Sequence, residues 1–406
     1  MKLRKKIMLG LCTLMLLAVT FTSTTYAWFK LNSHADVSFN FQVNGGLGFL
    51  ISVDNENFSS DITKDQLLMA YYHKTHEKKE EIDGKNVTTN STEWENGILI
   101  DSNTKQEIKL DELEKEFSNI QLYPVTSKDG VNFTDLYNST FPISSQRYLE
   151  FDLYVRAASR NTNDNFTYEI SLLYDDLYDT PNDKDKPSTR GTSITSNKAY
   201  IDLVSGMDTW KKDAIRTKEG TDTKQVLVNS SNAMRLSIQA YDNIIEDIKN
   251  EKGEKIGETI TDIIPQETAK IYELTDDETD LGSYATDYSG DDEAESNLYN
   301  ANLNAMFTYY NNRRPNSKLT PMSYNVKPIT FRNSDLINND DGSKNSNNPV
   351  ITTVKSGDYS QKLTIRIWQE GWDADCFDGL AESINVRLSL QSFLIDTNDN
   401  ENKNNN

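Results

Sequence analysis

Alternation of apolar and polar residues with a period of two is the dominant pattern along this chain. It is what a β-strand with one buried face requires. The alternating segments are separated by stretches rich in Gly, Asn and Asp, which favour turns over helices. The pattern therefore predicts an all-β protein, an antiparallel, jelly-roll-like β-sandwich. The alternating segments are 37–43, 149–155, 166–172, 234–240, 363–367 and 384–390.

Helical periodicity is rare, and it falls in the segments between the predicted strands. Asp61 is placed to cap a helix over 62–73, and a second helix is predicted over 105–117. We expect these few short helices to decorate the sandwich. Three other segments contain few apolar residues and are predicted to be exposed loops: 179–190, 276–295 and 333–348.

The first 27 residues have the layout of a secretory signal peptide, with four basic residues ahead of an uncharged run over 7–21. That run is 15 residues long, shorter than the roughly 20 that a membrane-spanning helix needs. We expect cleavage between Ala27 and Trp28, with an uncleaved anchor as the alternative. The chain is thus predicted to be secreted, with a signal peptidase as a partner.

The leader sets the expected domain organisation. Residues 28–395 are predicted to form one β-sandwich domain with long polar inserts, and 54–348 leaves room for a second subdomain. The last segment, 396–406, is polar low-complexity sequence and is expected to be a disordered tail.

The charge and the cysteine content of the chain limit the classes of partner that it can bind. The chain has 63 acidic and 42 basic residues, a formal charge of −21. Such a surface repels nucleic acid and anionic lipid, so we expect no nucleic-acid partner and membrane contact only through the leader before cleavage. Cys12 lies in the leader, which leaves Cys376 alone, either buried or free to link two molecules.

Both ends of the chain resemble one family. The junction Thr24-Thr25-Tyr26-Ala27-Trp28-Phe29 is followed by an alternating strand, and this arrangement resembles the TasA/camelysin-type exported proteins of Gram-positive bacteria. A carboxy-terminal motif that runs into the strand over 384–390 resembles the final hairpin of related secreted proteins. We call it the closing motif: Arg366, Trp368, Glu370, Gly371, Trp372 and Cys376.

The resemblance implies a jelly-roll-like sandwich, cleavage by a dedicated signal peptidase, and self-assembly into extracellular fibres or a biofilm matrix. It also implies that an amino-terminal strand can complete the sheet of the next subunit. In this chain the assembly strand would carry Val37, Phe39, Phe41 and Val43. The alternative is that this strand pairs within its own chain, since sequential strands usually neighbour each other.

Metal chemistry is the main enzymatic possibility, because camelysin-like proteins are linked to metallopeptidase activity. Only His34, His73 and His76 are present, and they do not form the helical pair of histidines with an intervening glutamate that a zinc peptidase uses. We therefore predict no catalytic residues and no enzyme activity, and we interpret His73 and His76 as adventitious or solvated.

Calcium is the more reasonable ion for an acidic extracellular chain. Asp373, Asp375 and Asp378 offer hard oxygen ligands near the closing motif, although solvated acidic loops are the favoured interpretation. No other cofactor is expected. Trp368 and Trp372 either pack over the end of a sheet or bind sugars.

Three functions follow, in order of preference. The first is an extracellular structural subunit of a cell-surface fibre or biofilm matrix, assembled by amino-terminal strand addition. The second is a monomeric surface-binding module for carbohydrate or host protein, with the polar inserts as contact loops. The third is a secreted metal-dependent peptidase.

Overall fold

The computed structural model describes most of the predicted strands. Strands make up 51% of the described residues and helices 13%, so the protein is mostly β, as the alternation predicts. The described residues are 38–43, 48–82, 85–118, 122, 124–134, 147–159, 166–174, 191–196, 198–202, 215–274, 329–340, 342–371, 373 and 384–395. The predicted loops over 179–190 and 276–295 and the predicted tail over 396–406 lie outside them.

Three α-helices accompany the strands within this part of the chain: α1 (Lys64–Thr75), α2 (Leu110–Ser118) and α3 (Asn333–Leu336). The strands are β1 (Ser38–Val43), β2 (Phe49–Ser52), β3 (Glu77–Ile82), β4 (Lys85–Asn90), β5 (Thr92–Glu95), β6 (Ile98–Asp101), β7 (Thr126–Ser127), β8 (Phe133–Thr134), β9 (Leu149–Ala157), β10 (Thr167–Leu172), β11 (Ser193–Ser196), β12 (Lys198–Asp202), β13 (Ile215–Thr217), β14 (Lys224–Asn229), β15 (Met234–Lys249), β16 (Lys255–Pro265), β17 (Lys270–Glu273), β18 (Thr330–Arg332), β19 (Thr352–Lys355), β20 (Gln361–Gln369) and β21 (Ile384–Ile395).

Two large sheets organise these strands. A seven-stranded sheet has the order β18-β17-β15-β20-β9-β2, and β16 also pairs with β15. A five-stranded sheet has the order β1-β21-β10-β19, and β11 also pairs with β21. The strand pairs of both sheets are antiparallel, as predicted, except for the parallel pairs β1–β21 and β17–β18. The remaining strands form a three-stranded sheet, β12-β14-β13, and three hairpins.

The apolar positions of the alternating strands bury one face of each large sheet. Leu363 of β20 lies opposite Leu153 of β9, and Ile365 lies opposite Ile238 of β15. These residues belong to one hydrophobic cluster that also includes Leu388 of the five-stranded sheet. The two large sheets therefore share a single core, and burial of their apolar faces is the main stabilising contribution.

A long polar insert interrupts one strand of the five-stranded sheet without breaking its ladder. Leu172 ends β10 opposite Leu390, and the Leu173 N–H donates to the Ser389 carbonyl at 2.9 Å. The chain re-enters at Thr192, whose hydroxyl donates to the Ser389 carbonyl at 3.0 Å and accepts from the Ser389 N–H at 2.9 Å. One side chain thus fills the gap in the backbone ladder before β11 begins.

The first helix starts later than the sequence suggested. Asp61 was predicted as its cap, but Thr63 is the N-cap, because Thr63 and Gln66 form a capping box. The helix is also more than a surface decoration: Leu67, Leu68 and Tyr71 are buried in the main core. The second helix begins at Leu110 rather than at 105.

The prediction of an exposed loop over 333–348 is partly wrong. Asn333 to Leu336 form α3, and Leu336 is fully buried in the core. Asn348 is also buried, and its amide donates to the Leu172 carbonyl at 3.0 Å. The polar composition of this segment predicted exposure. A polar residue such as Asn can nevertheless be buried when it forms hydrogen bonds inside the protein. Across the described residues, we find no helix with both the length and the apolar character that a membrane span requires.

Candidate functional site

At the centre of the seven-stranded sheet, the second face is largely buried too, and it is charged. Its residues alternate with the core positions on β9, β15 and β20, and they are covered by the segment 125–134 and by the end of α1. We call these residues, together with the neighbouring groups of α1, β3 and β17 that pair with them, the charged layer: Lys74, Glu77, Glu150, Asp152, Arg235, Gln239, Glu273, Lys362, Thr364 and Arg366. Buried charges are costly unless each has a partner of opposite sign, so their pairing decides whether this face is stable.

Lys74 reaches from the last turn of α1 into a group of carboxylates. Its Nζ lies 2.8 Å from Glu77 Oε2, 3.0 Å from Asp152 Oδ2 and 3.6 Å from Glu150 Oε1. Lys362 Nζ lies 2.8 Å from the same Asp152 oxygen. Burial alone would lower the pKa of Lys74, but the three carboxylates raise it above its usual value. Burial would raise the pKa of Asp152, yet the two lysines hold it well below its usual range. Both groups are therefore charged at neutral pH.

Arg366 ties two strands to the covering segment. Its Nε donates to Glu150 Oε2 at 2.7 Å, and its Nη2 donates to Gln239 Oε1 at 3.0 Å. Its Nη1 donates to the Gly130 carbonyl at 3.4 Å, and the Ser237 hydroxyl donates to that carbonyl at 2.7 Å. Gly130 has φ +70°, and a Cβ there would lie 2.9 Å from the Ser237 Cβ, so only glycine fits at this point of the cover.

Arg235 forms the other end of the charged layer. Its Nη2 lies 2.7 Å from Asp373 Oδ2 and 3.1 Å from Glu273 Oε1, and all three side chains are buried. Arg332 Nε lies 3.9 Å from Glu273 Oε2 at the rim. Asp373 is the described member of the predicted calcium ligands, and its carboxylate is neutralised here by a guanidinium.

The other two predicted calcium ligands, Asp375 and Asp378, lie outside the described residues. Among those that are described, no group of three or more His, Cys, Asp and Glu side chains is arranged to hold a metal ion. Calcium binding stays a prediction. The processing residues Ala27 and Trp28, the first assembly-strand residue Val37, and Trp372 and Cys376 of the closing motif also lie outside this part of the chain.

The rest of the closing motif fastens the covering segment. Trp368 is buried and meets Phe133 edge-on with ring centroids 5.1 Å apart, and its Nε1 donates to Glu370 Oε2 at 3.1 Å. The Val125 N–H donates to the Gln369 carbonyl at 3.0 Å, and the Gly371 N–H donates to the Val125 carbonyl at 2.8 Å. Trp368 thus packs over the sheet, which was one of its two predicted roles, and its ring is not exposed.

The two helical histidines are held by different partners. His73 Nδ1 lies 2.8 Å from Thr92 Oγ1, and the Asn90 amide donates to the His73 carbonyl at 2.8 Å. His76 stacks on Tyr72 with ring centroids 4.0 Å apart, and its Nδ1 lies 2.8 Å from the Tyr72 carbonyl. Both side chains are partly buried and hydrogen-bonded, so neither is fully solvated.

Acidification should destabilise the protein through His73. Burial lowers the pKa of His73 from its ordinary 6.5 to about 4. The unfolded chain therefore binds this proton more readily, so the contribution is complete above pH 6.5 and is lost as the pH falls towards 4. We expect a loss of about 2–3 kcal/mol in unfolding free energy between pH 7 and pH 4.5 from this group.

Urea denaturation of the wild type and of His73→Gln at both pH values measures the effect. The variant should lose less stability on acidification, because the carboxylates contribute equally to both proteins. Equal losses in the two proteins would contradict the assignment.

The predicted assembly strand lies at an edge of the five-stranded sheet. β1 pairs in parallel with β21, with Phe39 opposite Val386, Phe41 opposite Leu388 and Val43 opposite Leu390. This is the within-chain pairing that was weighed as an alternative. The glycine-containing connection over 44–47 lies outside the described residues.

Sequence reasoning missed the charged layer. A polar residue at every second position of a strand usually signals a solvent-exposed face, so the alternation predicts only one buried face for each strand. The available signal was the balance of charges: acidic residues alternate on β9, and basic residues alternate on β20.

We found no match to the chain among protein-family descriptions, curated proteins or solved structures.

Proposed function

We propose that this protein is an extracellular structural subunit of a cell-surface fibre or biofilm matrix, and that copies join when β1 of one adds to the sheet of the next. In this proposal the two large sheets are the halves of a jelly-roll-like sandwich. The shared hydrophobic core supports that architecture, because its residues come from both sheets.

The observation that carries the proposal is the position of β1. In the described part of its sheet, β1 pairs with β21 alone and supplies the one parallel pair, which is slightly less stable per residue than an antiparallel one. The next strand, β2, belongs to the other sheet, where it pairs with β9. β1 can therefore leave its place without moving β2.

Exchange of β1 between copies conserves the contacts that it makes. A departing β1 leaves the edge of β21 unpaired, and the β1 of a neighbour fits that edge with the same six residue pairs. Because the donor and the acceptor sites lie on one chain, each copy can accept one strand and donate another, which gives a head-to-tail polymer. Cleavage between Ala27 and Trp28 would release the amino-terminal segment ahead of β1 for this exchange.

A disulfide that holds β1 in its own chain tests the proposal. Asn40 lies opposite Arg387 in the β1–β21 register. The variant is Asn40→Cys and Arg387→Cys in residues 28–406, with Cys376→Ser to remove the remaining thiol. The protein is oxidised while dilute, so that the disulfide forms within single chains. We expect no filaments in electron micrographs of this oxidised monomer and filaments after reduction.

The matched controls are the two single-cysteine chains, which should form filaments under both conditions. Filaments from the double variant whose disulfide lies within single chains, as a monomer band on a non-reducing gel shows, would contradict strand addition. Absence of filaments from every protein, reduced or oxidised, would favour the monomeric binding module. For that module the relevant observation is the pair of hydrogen bonds between Thr192 and Ser389, which attaches the chain to the sheet where the polar insert ends.

A further inference from the structure

The strands β15 and β16 continue beyond the core as a two-stranded extension. β20 pairs with β15 as far as Ala240, and the register with β16 begins at Tyr241 opposite Pro265. From there to Lys249, β16 is the partner of β15 among the described strands. We call residues 241–265 the ribbon.

The ribbon exposes an unusual amount of apolar surface. Of the 13 large hydrophobic side chains exposed in the described residues, six are isoleucines of the ribbon, and they are 39–65% exposed. These are Ile244, Ile245, Ile248, Ile256, Ile263 and Ile264. An isolated two-stranded hairpin is marginally stable in water, and exposed apolar strands with free edges tend to pair with another chain. The ribbon therefore has the properties of an interaction surface.

The distribution of charge along the ribbon favours a second ribbon as its partner. The tip, residues 249–255, carries three lysines and two glutamates, whereas the rest of the ribbon, its stem, carries five carboxylates and no basic residue. The five are Asp242, Glu246, Asp247, Glu258 and Asp262. Lys255 already pairs with Asp247 and Glu258 of its own ribbon, whereas Lys249 and Lys252 of the tip are exposed. A second ribbon that runs antiparallel to the first places each tip beside the acidic stem of the other.

We propose that the ribbon binds the ribbon of a second copy of this chain. The two copies pair antiparallel about a twofold axis, with isoleucines of the two ribbons in contact and with Lys252 of one tip beside Asp242 of the other stem. Each pair occurs twice because the contact is isologous. The overall charge of −21 makes most contacts between copies repulsive, and this alignment offsets the repulsion locally. The contact does not depend on exchange of β1.

Sedimentation of the oxidised β1-stapled protein isolates this contact, because exchange of β1 is blocked in it. We expect a monomer–dimer equilibrium. The variant Ile244→Thr, Ile248→Thr, Ile264→Thr should weaken the dimer by at least about tenfold, since threonine retains strand propensity but removes apolar surface. The control is Ile329→Thr, at an exposed isoleucine outside the ribbon, which should leave the dimer unchanged.

A charge exchange tests the antiparallel alignment. Lys252→Asp and Asp242→Lys should each weaken the dimer several-fold, and the protein with both changes should regain the wild-type dissociation constant, because the opposed pairs are restored in reverse. A stapled protein that stays monomeric at every concentration would overturn the proposal. So would a dimer that the threonine changes leave intact, and failure of the double exchange to restore binding would rule out the alignment.

Discussion

Replacement of Arg366 by methionine should lower the free energy of unfolding by about 3–5 kcal/mol, because it removes one partner from a buried network and leaves the other partners behind. Among the described residues, the ion pair left to Glu150 would be the longer one to Lys74 Nζ, at 3.6 Å. Gln239 would lose a hydrogen bond made inside the protein. Methionine has similar bulk, so the loss reports the missing interactions more than a cavity.

The measurement is urea denaturation at pH 7, with the slope against denaturant unchanged from the wild type. Lys64→Met is the matched control, since Lys64 pairs with Glu114 at 3.5 Å with both side chains more than half exposed. That change should cost less than about 1 kcal/mol. A cost for Arg366→Met no larger than the control would show that the charged layer is not closed to water.

Removal of both the Arg366 and the Glu150 charge separates two free energies: the stabilisation by the ion pair and the cost of a buried carboxylate left without its partner. The double variant Arg366→Met, Glu150→Gln should be more stable than Arg366→Met alone, because no carboxylate is then left without its guanidinium. If the double variant loses the sum of the two single losses, Arg366 and Glu150 act independently and the network interpretation is wrong.

The strands were predictable because their apolar residues fall at every second position. The run from 149 to 155 and the run from 363 to 367 became β9 and β20. The same pattern cannot tell whether the opposite face is wet, since that depends on which distant segment covers it. Here the cover comes from 125–134 and from α1, and neither contact has a local signature.

The direction of β1 and the ribbon were hidden for related reasons. Alternation has no sense of direction, so 37–43 could be recognised as a strand but not as the parallel partner of β21. In the ribbon, apolar residues stand side by side, as at Ile244 and Ile245, where the register with β16 shifts. The prediction therefore stopped at Ala240, although β15 continues for nine residues beyond it.

The largest expected effect on the cover of the charged layer comes from Trp368. Its indole packs with Phe133, Val125, Tyr148 and Ile271 in a small hydrophobic cluster separate from the main core. Trp368→Ala removes that packing and leaves a cavity, so we expect a loss of about 3–5 kcal/mol in unfolding free energy. Trp368→Phe should lose less, because a ring still faces Phe133 while the hydrogen bond to Glu370 is lost.

Hydrogen exchange distinguishes loss of the cover from general destabilisation. In Trp368→Ala the Val125 and Gly371 amides, which bind the cover to β20, should exchange faster by a larger factor than amides at the centre of β9. Local opening would admit water to Arg366 and Glu150, and the screened pair would then contribute less. Arg366→Met should consequently cost less in the Trp368→Ala background than in the wild type. Equal costs in both backgrounds would mean that Trp368 does not keep the charged layer dry.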